Sequence, residues 1–227
     1  MTKNGPPIEH KLTILQQPDL SMVVTPGYRE RRYIEPPPVI QLQMFRADGT
    51  EVDIMDVDEE YVMYAHLFEE NGEKLIETVE VPISVGSDQQ GADVVDLVCR
   101  NPLIGSSGAS PHRVKDPNEE QVTVFCFSDL KTWIAGRFCL RFALFHLPKK
   151  DTPHSSPTSF LATVMSKVFT VYTAKEFPGV YESTALSKKL SIQGVSISIR
   201  NKNRLKNNDE DSGTIMEVEY SDNNQDA

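Results

Sequence analysis

Two short runs of cations hold the residues best suited to chemistry in this chain. The first is Arg29, Arg31 and Arg32, interrupted by Glu30 and followed by Pro36, Pro37 and Pro38. Consecutive prolines stiffen the backbone, so these charges sit on a firm loop beside a β-patterned run. A guanidinium is a planar fork of donors that suits phosphate oxygens or the O6/N7 edge of guanine. The competing assignment pairs one arginine with Glu30 or Glu35 and leaves the others as solvated surface, with Arg32, next to Tyr33 and the prolines, as the structural one. The second run is Arg200, Lys202, Arg204 and Lys206. Cations at alternate positions suit a DNA backbone, an import signal or an ordinary solvated segment. Lys188, Lys189, Arg113 and Lys115 are more isolated and read as surface.

Catalytic signatures are absent from the sequence: no G-x-S-x-G elbow, no P-loop, no G-x-G-x-x-G after a strand and no H-E-x-x-H. Ser106, Ser107 and Ser110 fall in a glycine-rich stretch where turn formation accounts for them. The acidic belt from Asp48 to Glu60 has a D-x-D spacing but lacks the glycine and the twelfth-position glutamate of a calcium loop. Its reading is a solvated or partner-facing loop. The histidines (His10, His66, His112, His146 and His154) stand at no zinc spacing with a cysteine. The expectation is therefore neither enzyme nor metalloprotein, with no cofactor.

A chain of 227 residues with 39% hydrophobic residues can bury a substantial core. Its net charge of -10 seems to argue against nucleic acid. Residues 207–227, however, hold seven Asp or Glu and no Lys or Arg, so they carry most of that excess. Placement of the cations, not net charge, decides the partner. Three cysteines (Cys99, Cys126 and Cys139) form no C-x-x-C pair and read as reduced thiols of an intracellular protein. No apolar stretch resembles a secretory signal or spans a bilayer, which makes cytosol or nucleus the expected location.

The elements that must position the cations are strands. Phe138, Leu140, Phe142 and Leu144 share one face, with Cys139, Arg141 and Ala143 on the other, the period-two pattern of a half-buried strand. Val122, Val124 and Cys126 alternate with Thr123, Phe125 and Phe127 just before it, and the intervening DLKTWIAG reads as the turn of an antiparallel pair. Further strands are expected at 11–16, 39–45, 61–68, 76–83, 168–172 and 195–200. The 61–68 stretch has helix-forming residues, but its alternation favours a strand. Ser183 is a candidate N-cap for one short helix to Leu190. Residues 86–93, 101–120 and 149–158 read as loops. Short strands at this spacing favour an antiparallel sandwich. The expected organisation is an N-terminal extension over 1–9, a sandwich domain over 10–206 containing the long loop 101–120, and an acidic tail over 207–227 with too little apolar content to fold alone.

Several blocks, in order, resemble the velvet domain of fungal regulators of development and secondary metabolism. They are Gln16-Gln17-Pro18; Arg31 and Arg32 with Ile34 and Pro36 to Pro38; FCFSDL at 125–130; GRFCLRFALF at 136–145; VYTAKEFPGVYEST at 171–184 with Leu186 and Ser187; and QGVSISIR at 193–200. The resemblance implies an all-β, immunoglobulin-like antiparallel sandwich similar to the DNA-binding domain of Rel-type factors, with at most one or two short helices. It also implies a nuclear protein, with a cytoplasmic pool, that binds double-stranded DNA as a homodimer or as a heterodimer with another velvet protein. On that basis Arg29, Arg31 and Arg32, assisted by Lys202 and Arg204, are the DNA-binding candidates. One departure stands out: the family's basic residues near its QQP block are replaced here by Asp19, Leu20, Ser21, Met22, Val23 and Val24. The acidic balance and this uncharged stretch also suit a second role, that of an interaction subunit without direct DNA contact that reaches promoters only through a velvet partner.

Overall fold

A computed structural model of the chain describes residues 8–25, 32–57, 60–87, 93–147 and 159–200. In chain order its strands are β1 (Ile8–Gln16), β2 (Leu20–Met22), β3 (Val39–Arg46), β4 (Glu51–Val52), β5 (Glu60–Glu69), β6 (Val79–Ser87), β7 (Asp93–Arg100) and β8 (Leu103–Ile104). They continue with β9 (Gly108–Ala109), β10 (His112–Lys115), β11 (Gln121–Cys126), β12 (Lys131–Thr132), β13 (Gly136–Leu147), β14 (Ser159–Met165) and β15 (Phe169–Tyr172). One helix, α1 (Ala185–Ile192), and one 3-10 turn at Ile54–Asp56 complete the described elements.

Two sheets face each other. The first runs β1-β3-β11-β10, with β4 also on β3; the second runs β2-β15-β13-β5-β9, with β14 also on β13. Pairing is antiparallel except that β2 lies parallel to β15. The core between the sheets joins Ile40, Leu42, Met44 and Phe125 to Met63, Leu67, Leu140, Phe142, Leu144 and Phe169, all buried. Phe127 and Phe142 pack with ring centroids 5.1 Å apart. Each such side chain contributes about 1.5–3 kcal/mol by leaving water, which explains why the alternating faces dictate the layers. The all-β sandwich expected from the alternation is the architecture observed.

The strand reading of 61–68 holds, because β5 pairs with β13 from Glu60 to Glu69. Other expectations need correction. The segment DLKTWIAG is no hairpin turn: β11 belongs to the first sheet and β13 to the second, and β12 within the segment pairs with β8. It is longer than the roughly two to five residues of a hairpin loop, long enough to cross the ~10 Å between sheets. Residues 101–120 are not one loop but carry β8, β9 and β10. The strand expected from Ile76 begins at Val79, because Ile76 instead donates its N–H to Leu67 as a neighbour of β5.

Beyond the first sheet lies a third layer. Val39, Val114 and Val124 point away from the main core and pack against Leu190 of α1 and against Val195 and Ile197. The expected strand at 195–200 keeps its alternation, with Val195 and Ile197 buried and Ser196 and Ser198 exposed, but it joins no ladder. Its apolar face is spent on covering the sheet instead of extending it. The helix cap is Thr184, one residue after the expected Ser183, and its hydroxyl accepts the Ser187 N–H at 3.0 Å.

Candidate nucleic-acid interface

Residues 32–35 are held to the second sheet by backbone bonds. Glu35 donates to Leu20 at 2.7 Å and accepts from Asp19 and Leu20 at 2.9 Å, while Ile34 donates to Leu130 at 2.8 Å and is itself buried. The Glu35–Pro36 peptide is cis. Ser21 donates its hydroxyl to the Arg32 carbonyl at 3.3 Å, and the Arg32 guanidinium lies 5.8 Å from the Phe177 ring centroid. Lys131 lies 5.2 Å from the ring of Tyr33. Residues 32–35 are thus fixed by an isolated bridge to β2 and a bond to Leu130, whereas Arg29 and Arg31, for which the stiff loop was expected, lie outside the described residues.

The last described residues arrive at the same place. Arg200 donates its backbone N–H to the Ser183 hydroxyl at 2.9 Å and accepts from the Ser183 N–H at 3.1 Å. Its guanidinium forms an ion pair with Glu35, and the two side chains are only 24% and 12% exposed. Burial pushes the Arg200 pKa down from its ordinary value, and the nearby positive charge of Arg32 pushes it further the same way. Arg32 and Arg200, from opposite ends of the chain, are therefore electrostatic neighbours. Of the candidate residues, only Arg32 is described; Arg29, Arg31, Lys202 and Arg204 lie outside the described residues, as does Lys206.

A buried polar knot locks this junction. Gln16, at the end of β1, donates from Nε2 to the Pro37 carbonyl at 2.7 Å and to the Ser187 hydroxyl at 2.9 Å. Its Oε1 accepts from the Thr184 hydroxyl at 2.5 Å. One amide therefore ties β1, the proline segment and the start of α1 together. Because Gln16 is 7% exposed and Ser187 1%, each of these bonds replaces a water the group has lost. Gln17 contributes separately, accepting the Lys167 N–H at 2.9 Å.

The uncharged stretch after Pro18 also finds its reason. Leu20, Ser21 and Met22 are buried as β2, paired with β15, where an arginine would have no water. Sequence reasoning missed two cations of this neighbourhood, Lys131 against Tyr33 and Lys175 two residues before Phe177. Lys175 belongs to a block singled out for family likeness and Lys131 directly follows another, which was the available signal. The other cations are engaged elsewhere: Arg113 with Asp53 at 2.5 Å, Lys115 with Glu119 at 3.6 Å, Lys188 with Glu182 at 2.6 Å, and Lys189 with Glu119. Asp53 of the acidic belt also caps the 3-10 turn, accepting the Met55 N–H at 3.0 Å.

Comparison with known proteins places these features in context. A family model described as velvet factor matches residues 10–94 and 85–204. The chain belongs to the velvet family. It is 34% identical over 198 residues to the sexual development regulator VELC of Pyricularia oryzae, covering 86% of this chain and 41% of that protein. It is 33% identical over 217 residues to the sexual development regulator velC of Gibberella moniliformis, covering 95% of this chain and 43% of that protein. Velvet complex subunit 2 of Botryotinia fuckeliana is 38% identical over 130 residues, 53% of this chain and 28% of that protein. The chain thus spans less than half the length of these relatives. Within this velvet chain several of the family-like blocks meet at one place, while those at 125–130 and 136–145 supply the core. Gln16, Pro37, Thr184 and Ser187 are partners in the same knot, and Phe177, Ser183 and Arg200 fasten the two basic segments beside it.

Proposed function

We propose that this velvet chain is a sequence-specific regulator of transcription in fungal development and secondary metabolism that binds double-stranded DNA. It works in the nucleus, with a cytoplasmic pool, as a homodimer or as a heterodimer with another velvet protein. Arg29, Arg31 and Arg32, assisted by Lys202 and Arg204, contact the DNA. The single observation behind this reading is the meeting of Arg32 and Arg200 at one end of the sandwich. Arg32 closes the first basic run and Arg200 opens the second, so the two runs leave the described structure from neighbouring residues. Relatives named as regulators of sexual development, and one named as a subunit of a velvet complex, support the regulatory role and the velvet partner.

The test is a titration of labelled duplex DNA with the purified chain. An arginine that reads a base costs about 1–3 kcal/mol when replaced by alanine and relaxes preference at one position; one that holds phosphate weakens all sequences and lowers the salt slope by about one. Affinity that does not change between about 50 and 200 mM salt contradicts phosphate contact.

A second reading has its own observation. Both described arginines of the junction have structural employment, Arg32 on Phe177 and Arg200 with Glu35. That arrangement suits a subunit that reaches promoters only through a velvet partner. DNA binding seen only after mixing with such a partner, and unchanged by Arg29→Ala and Arg31→Ala, selects it.

A further inference from the structure

At the junction one guanidinium has a carboxylate partner and a second stands beside it. Arg200 is paired with Glu35, and Arg32 stands close enough to be felt by Arg200 while resting on Phe177. Lys131 and Lys175 lie on the flanking segments, against Tyr33 and two residues before Phe177. Glu35 is paired with Arg200, and the positive charge of Arg32 stands beside that pair, a placement in which a further anion is favourable. The chain continues from this point through residues 201–208, which add Lys202, Arg204 and Lys206 and no acid. Only then do Asp209, Glu210, Asp211, Glu217, Glu219, Asp222 and Asp226 follow, with no cation among them.

We propose that the acidic segment 209–226 docks on the cationic end formed around Arg32 and Arg200 of its own chain and competes there with DNA. Complementary charge favours the contact, and length permits it. Eight residues span up to about 27 Å, so the first acids can reach any point of that end. Tethering raises the local concentration of the segment to about 1 mM. Against a free-peptide affinity of about 0.1 mM, such tethering weakens a competing ligand about tenfold. The consequence for DNA rests on the DNA-binding reading above; the docking itself does not.

The described elements end by Arg200, so a chain stopped after Lys206 keeps all of them. Two measurements test the proposal. In the first, a labelled peptide of residues 207–227 is titrated with the shortened chain. Binding that weakens with salt and with Arg32→Gln, or with Lys202→Gln and Arg204→Gln should Arg32→Gln disturb folding, is the expected result; no binding at millimolar concentration overturns it. In the second, random-sequence duplex DNA is titrated with the full and shortened chains at low salt. The shortened chain is expected to bind about tenfold more tightly, and the full chain with its seven tail acids changed to Asn or Gln should match it. Equal affinity of the full and shortened chains overturns the competition. Peptide binding without any DNA binding leaves the docking standing and removes the DNA reading instead.

Discussion

Arg200 and Glu35 form an ion pair that joins the last described segment of the chain to the first basic one, and the pair sits in a largely water-excluded setting. A buried charge that loses its partner costs far more than the pair gains over an apolar replacement. Glu35→Gln therefore leaves Arg200 facing Arg32 with nothing between them in charge, and is expected to lower stability by about 2 kcal/mol or more. Glu35→Gln combined with Arg200→Met is expected to recover most of that loss. Chemical denaturation of the single and double variants checks the coupling, and additive losses would sink it.

Gln16 is the second point where the ends are joined. Gln16→Leu removes the amide while keeping bulk, leaving the Thr184 and Ser187 hydroxyls and the Pro37 carbonyl short of a partner. A loss of about 1–3 kcal/mol is expected. Thr184→Ala should cost about 1 kcal/mol through the helix cap alone. Because the two side chains share a bond, their combined effect should fall short of the sum. A double-mutant cycle in urea reads this directly.

His66 gives the fold a pH dependence of known sign. Burial, followed by the nearby charge of Arg141, lowers its pKa below the ordinary 6.5. Its Nδ1 and the Arg141 Nε are buried without hydrogen-bond partners among the described residues. The unfolded chain then takes up the proton first as pH falls, so stability is full above about pH 6.5 and declines below it towards the folded-state pKa. The melting temperature should fall on going from pH 7 to pH 5, and His66→Gln should flatten part of that slope. A His66→Gln profile parallel to that of the parent would contradict the assignment.

The three thiols should differ sharply in reactivity. Burial, and secondarily Asp129, push the Cys126 pKa up to about 12, so almost none of it is thiolate at neutral pH. Burial also raises Cys139, which lies inside the second sheet, whereas Cys99 is exposed on β7. Alkylation of the folded chain at pH 8, followed by mass spectrometry, should label Cys99 within minutes and the other two only on unfolding. Early labelling of Cys126 would show that the third layer opens readily.

What was legible in the sequence follows from how local each property is. The alternation of Phe138, Leu140, Phe142 and Leu144 is a one-strand property, so it declared both the strand and its buried face. The pairing of that strand is not local. The residues 129–136 connect either two neighbours in one sheet or two strands in different sheets, and only the packing of Phe125 and Phe142 against each other's layers selects the second. The buried, uncharged β2 and the ladderless 195–200 strap escaped for the same reason, since a partner's position, not the segment's own pattern, sets their roles.

The sequence by itself determined the all-β class, the inward faces of the strands, the family-like blocks and the two runs of cations. The tertiary structure alone decided that Arg32 and Arg200 are neighbours, that Glu35 pairs with Arg200, and that Gln16, Thr184 and Ser187 are bonded together beside them. Hydrophobic patterning records which side of a strand leaves water, a choice each residue makes with its near neighbours. Ion pairs and buried hydrogen bonds need partners at fixed distance, and for residues so far apart along the chain only the folded backbone supplies that distance.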